Sequence, residues 1–86
     1  MYKILYTKQA LKDAKKLKNS NLKKKAEVVL NFLREEPFRD YPPYENLIGD
    51  LTGSFSRRIT IQHRIVYQVL EDDKIVKVLR MWTHYE

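Results

Sequence analysis

The chain has 86 residues, 43% of them hydrophobic and 33% charged, which fits a single folded domain over residues 1–86 and excludes a disordered tail. Its formal net charge of +6 favours polyanions, nucleic acid first and an acidic protein second. No cysteine is present, so a disulfide framework and a thiolate metal site are excluded, and only His63 and His84 remain as imidazole ligands.

Tyr2 to Tyr6 reads as a short strand, and Met1 to Tyr6 is too short for a signal peptide. Thr7 then caps a helix whose apolar positions Ala10, Leu11, Ala14 and Leu17 recur at helical spacing. Asn19-Ser20-Asn21 interrupts that pattern and offers a second cap. After it Leu22, Ala26, Val29, Leu30 and Leu33 form another stripe that must stop before Pro37, so a helical hairpin is predicted. Nine lysines (Lys3, Lys8, Lys12, Lys15, Lys16, Lys18, Lys23, Lys24 and Lys25) concentrate charge on this half, either as a solvated face or as a polyanion-docking surface. Residues 37 to 53 carry all three prolines and both glycines, the composition of a connecting loop with one short strand around Glu45 to Ile48.

Phe55 to Gln62, Arg64 to Leu70 and Lys74 to Trp82 are rich in Ile, Val, Tyr and Thr, with Glu71-Asp72-Asp73 as a turn, and predict an antiparallel meander. The fold expected is α+β: an N-terminal strand and a two-helix hairpin packed on a twisted antiparallel sheet. No apolar run approaches the roughly 20 residues that cross a bilayer, so a soluble cytoplasmic protein with no membrane association is expected.

Strand parity sorts the meander into two faces. Phe55, Ile59 and Ile61 face one way and Ser56, Arg58 and Thr60 the other. Ile65, Tyr67 and Val69 oppose Arg64, Val66 and Gln68. In the last run Leu79 and Met81 share the parity of Ile75, which leaves Arg80, Trp82 and, if the strand is unbulged, His84 with Arg58 and Arg64. Three permanent cations, a stacking surface and a group that titrates near neutrality suit a phosphodiester. RNA cleavage by its own 2′-OH needs a base, a proton donor for the leaving oxygen and cations for the developing charge, all of which side chains can supply without a metal. His63 reads as turn or surface structure, with RNA contact as the lesser reading.

Leu51-Thr52-Gly53-Ser54-Phe55-Ser56-Arg57-Arg58-Ile59, His63-Arg64-Ile65-Val66-Tyr67 and the terminal His84-Tyr85 resemble the YoeB/Txe family of toxins, within the wider RelE-like group. The resemblance implies a ribosome-associated mRNA endoribonuclease that acts in the A site of the 70S ribosome. It also implies inhibition by a cognate antitoxin of the Phd/YefM type, and self-association as a homodimer. It needs no cofactor and no metal. By position in the family motifs, Glu45 is the implied general base, Arg64 stabilises the transition state with Arg58 assisting, His84 is the general acid and Tyr85 positions the substrate. Arg57, Arg58, Arg80 and Trp82 are expected to bind substrate. Two departures stand out: many relatives have a lysine where this chain has Ile48, and they commonly end at the tyrosine, whereas here Glu86 follows. Two other readings stay open, a non-enzymatic ParE-like gyrase inhibitor and a basic ribosome- or RNA-binding module.

Overall fold

The computed structural model describes residues 1–39, 43–47, 49 and 52–83, with Trp82 and Thr83 by their backbone alone. The elements run β1 (Lys3–Tyr6), α1 (Lys8–Lys18), α2 (Lys23–Glu35), β2 (Tyr44–Asn46), β3 (Phe55–Arg58), β4 (Arg64–Leu70) and β5 (Ile75–Thr83). They build one five-stranded sheet in the order β1-β5-β4-β3-β2. The predicted meander accounts for β3 to β5, and the short strand expected around Glu45 is β2, which adds to β3; these four strands pair antiparallel. The N-terminal strand makes the sheet mixed, because β1 lies parallel to β5, with Lys3 opposite Ile75 and Tyr6 opposite Val78. A parallel neighbour needs a long crossover, and the helical pair that follows β1 begins that path.

Thr7 caps α1 as its sequence position predicts: its Oγ1 accepts a hydrogen bond from the Ala10 amide at 3.0 Å. At the hairpin, Ser20 takes over from a formal cap, donating from Oγ to the Leu17 carbonyl and accepting from the Leu22 amide. Leu22, at the N-cap of α2, makes no side-chain cap bond of its own. The apolar stripes of both helices then meet one face of the sheet. Ala10, Leu17, Ala26, Val29, Leu30 and Leu33 pack with Ile59, Ile65, Tyr67, Val76, Val78 and Met81 in a single core, and Leu11 stays half exposed at the edge of its stripe.

Two strands differ from the parity prediction. β3 ends at Arg58, and residues 59–63 turn, with the Ile59 and Thr60 amides both donating to the His63 carbonyl. Thr60 Oγ1 accepts from the His63 amide and sits 3.0 Å from His63 Nδ1, so His63 is part of this turn. Ile61, assigned by parity to the core face, is 85% exposed at its tip. In β5 the core takes Val76 and Val78 rather than Ile75, and then Met81. An odd spacing of three between Val78 and Met81 requires a bulge. The ladder with β4 shows where: it is regular from Leu70↔Ile75 to Tyr67↔Val78, then shifts to Val66↔Arg80 and again to Arg64↔Thr83.

Candidate active site

Three of the candidate side chains, Glu45, Arg58 and Arg64, converge where β2, β3 and β4 lie side by side, on the sheet face away from the helices. Register sets Glu45 opposite Ser56, and Arg58 opposite Arg64, so two adjacent rows of the ladder supply the site. Pro43, Glu45, Ser56, Arg58 and Arg64 line a cleft of about 320 Å³. Arg64 Nη1 lies 3.2 Å from Glu45 Oε2 and donates more weakly to Ser56 Oγ at 3.4 Å. The Arg64 side chain is mostly buried while Glu45 is more than half exposed, so the cation is a fixed wall and the carboxylate is open to whatever enters.

Two arginines directly across an antiparallel pair repel each other, an arrangement that costs stability unless an anion lies between them. In the free protein Glu45 supplies that anion to Arg64. A phosphodiester carries the same single charge on two non-bridging oxygens and fits between the two guanidinium groups, which grip such oxygens through paired N–H donors.

Arg57 corrects the expectation of a substrate-binding role. It shares the parity of Phe55, points into the protein and is 1% exposed. Its Nη2 donates to the carbonyls of Pro37 (2.9 Å) and Arg39 (2.7 Å), its Nε donates to Tyr67 Oη (3.1 Å), and its guanidinium lies 4.9 Å from the Tyr44 ring centre. Tyr67 Oη also reaches the Pro37 carbonyl at 3.3 Å, and burial pushes its hydroxyl above the ordinary tyrosine range. Arg57 thus fastens the segment after α2 to the sheet. Through Tyr44 and the edge-on cluster of Phe38, Tyr44 and Phe55 it also fixes the strand that carries Glu45.

Arg80 is likewise not in the cleft. Its Nε donates to Asp13 Oδ2 at 2.8 Å, and its side chain is 44% exposed. Asp13 is entirely buried, yet it also accepts from the Met81 amide at 3.1 Å and from Gln9 Nε2 at 3.0 Å. Burial alone would raise its pKa, but the hydrogen bonds from Arg80, Met81 and Gln9 win and hold the carboxyl below its ordinary value. The side chain of Trp82, and all of His84 and Tyr85, lie outside the described residues, as do Ile48 and Glu86.

Ser56 and Asp13 were not singled out as site or anchor residues by the sequence. Ser56 had the parity of Arg58, a readable signal. Asp13 falls on the apolar stripe of α1, between Ala10 and Leu17, and a carboxylate on a buried stripe signals a specific partner.

Against known proteins, residues 6–85 match the model of the YoeB-like toxins of bacterial type II toxin-antitoxin systems. This chain belongs to that family. The YoeB toxin of Escherichia coli K12 is 37% identical over 62 residues, covering 72% of this chain and 71% of the relative. A YoeB/ParE toxin from Agrobacterium tumefaciens superposes with a TM-score of 0.87 at 28% identity, over 96% of this chain and 99% of the other. Staphylococcus aureus YoeB is similar both in a YoeB-YefM complex (TM-score 0.82, 32% identity, 99% of each chain) and as a YoeB dimer (TM-score 0.82, 31% identity, 98% of each chain). The protein is therefore a toxin of a type II toxin-antitoxin system, with the RelE-like fold. Among the described residues, no helix is long and apolar enough to cross a membrane.

Proposed function

We propose that this YoeB-family toxin is an endoribonuclease that cleaves mRNA in the ribosomal A site and so stops translation. The observation that carries the reading is the cleft in which Glu45 Oε2 faces Arg64 Nη1 at 3.2 Å beside Arg58. On binding, the scissile phosphate takes over Arg64 and releases Glu45. Glu45 then removes the proton of the adjacent 2′-OH, whose oxygen attacks phosphorus. Arg64 and Arg58 stabilise the charge that builds on the non-bridging oxygens. His84 protonates the departing 5′ oxygen, leaving a 2′,3′-cyclic phosphate and a free 5′-hydroxyl, while Tyr85 orients the nucleotide. Trp82 stacks on a base, and Arg80, through the part of its guanidinium not bound to Asp13, contacts the RNA backbone. These side chains carry both proton transfers without a metal or a cofactor.

The test is primer extension on mRNA-programmed 70S ribosomes. Glu45→Gln should slow cleavage by about 10²–10⁴-fold, the scale of a lost general base, and Arg64→Ala by about 10²–10³-fold, the scale of a lost oxyanion donor. Undiminished cleavage by a Glu45→Gln, His84→Ala double variant would sink the mechanism. Toxicity that survives removal of residues 84–86 would point instead to a ParE-like target. The protein works in the cytoplasm, where its ribosomes are, and it is neutralised by a YefM-like antitoxin whose acidic, amphipathic segment orders on the basic surface. Like the S. aureus relative, it forms a homodimer. Co-purification of a toxin–antitoxin complex, with its mass by light scattering, checks both statements.

A further inference from the structure

The bulged end of β5 is held from outside the sheet, by α1. Thr7 donates from Oγ1 to the carbonyl of Leu79 at 2.9 Å, and Asp13 accepts from the Met81 amide and from Arg80 Nε. A bulge takes backbone groups out of the ladder, and these two side chains receive a carbonyl on one side of it and an amide on the other. The consequence is a change of register. Continued unchanged from Leu70↔Ile75 through Tyr67↔Val78, the ladder would set Met81 opposite Arg64; instead it sets Thr83 there. The end of β5 is drawn back by two residues, roughly 6–7 Å at ~3.3 Å per residue. That places Thr83, the residue before His84, beside the strand that supplies Arg64.

We propose that Asp13 is a positioning residue: its buried carboxylate fixes the β5 bulge and so sets the register that brings Thr83 opposite Arg64. Among the described residues the hydrogen bonds of Asp13 run to Gln9, Arg80 and Met81, and it acts on β5 through the last two. Arg80 Nε and the Met81 amide share Oδ2 while Gln9 Nε2 takes Oδ1, so asparagine sets its N–H₂ either against Gln9 or against both β5 donors, and in either orientation it lacks the charge that strengthens the bonds to β5. The effect on activity rests on the nuclease reading; the effect on register does not.

The experiment compares the full-length wild-type chain with Asp13→Asn by NMR and by ribosome-dependent cleavage. The wild type should show cross-strand NOEs between Arg64 and Thr83. Asp13→Asn should lose them, and its kcat should fall at least about tenfold with KM nearly unchanged, because misplacement by an ångström or more is costly in rate. Leu17→Ala, a core truncation, should lower Tm yet keep both the NOEs and kcat. If Asp13→Asn does not fold, Arg80→Gln at a half-exposed position removes one arm of the anchor and should weaken the same NOEs. NOEs from Arg64 to Met81 in the wild type, or an unchanged Thr83 contact in both variants, would overturn the proposal. A wild type with the Thr83 NOEs but no cleavage would refute the nuclease reading and leave the register assignment standing.

Discussion

Arg57 and Arg58 are chemically identical neighbours with opposite tasks, and the pleat alone separates them. Arg57 is enclosed and bound to two carbonyls and a tyrosine hydroxyl, whereas Arg58 is exposed in the cleft. Arg57→Ala should therefore cost about 2–4 kcal/mol, since it strands buried acceptors and opens a cavity, while Arg58→Ala should leave stability within about 0.5 kcal/mol; urea denaturation distinguishes them. Parity was sufficient to place Arg58 and Arg64 together. The same alternation sets Arg57 with Phe55, a consequence not read from the sequence, because a run of two arginines reads as surface until the carbonyls of Pro37 and Arg39 are seen beside it. Asp13 adds a pH signature. Its carboxyl titrates lower in the folded chain than in the unfolded one, so its stabilisation is present above the unfolded value and is lost as pH falls through the folded one. Asp13→Asn should flatten the loss of stability below about pH 4, a difference read from denaturant midpoints between pH 2.5 and 6; identical acid limbs would refute it.

At the scale of elements, α1 is more than a cover for the sheet. Thr7 uses one hydroxyl twice, accepting from the Ala10 amide to start the helix and donating to the Leu79 carbonyl to hold β5. Thr7→Ala should destabilise the protein by about 1–2 kcal/mol, the range of a lost N-cap. Thr7→Ser, which keeps the hydroxyl, should recover most of it, and amide exchange at Ala10 should report the loss first. The cap and both helical stripes were legible because their signals are local. The bulge in β5 was not, because what stabilises it comes from Thr7 and Asp13, more than 65 positions away in the chain. β3 was read as running to Gln62, because Ile59 and Ile61 alternate like strand residues. The hydrogen bonds of Ile59 and Thr60 to the His63 carbonyl override that alternation.

For the whole molecule, charge and chemistry occupy different surfaces. Glu45, Arg58 and Arg64 lie on the sheet face, and the exposed lysines Lys15, Lys16, Lys18, Lys23, Lys24 and Lys25 lie on the helical hairpin. A net charge of +6 attracts RNA from any direction, but only phosphates that displace counterions at contact contribute to the salt dependence. Replacing Lys16, Lys23 and Lys24 by Gln should leave the fold intact, since all three are exposed and none carries a capping bond. It should weaken ribosome binding and make the plot of log affinity against log salt shallower, by about 0.7–0.9 for each lysine that meets a phosphate. Glu45→Gln, by contrast, should slow cleavage by about 10²–10⁴-fold and leave that slope unchanged, because it alters no phosphate-binding cation. Titrations between 50 and 250 mM salt separate the two effects. A triple variant with the wild-type slope would show that these hairpin lysines are solvated surface alone and meet no phosphate.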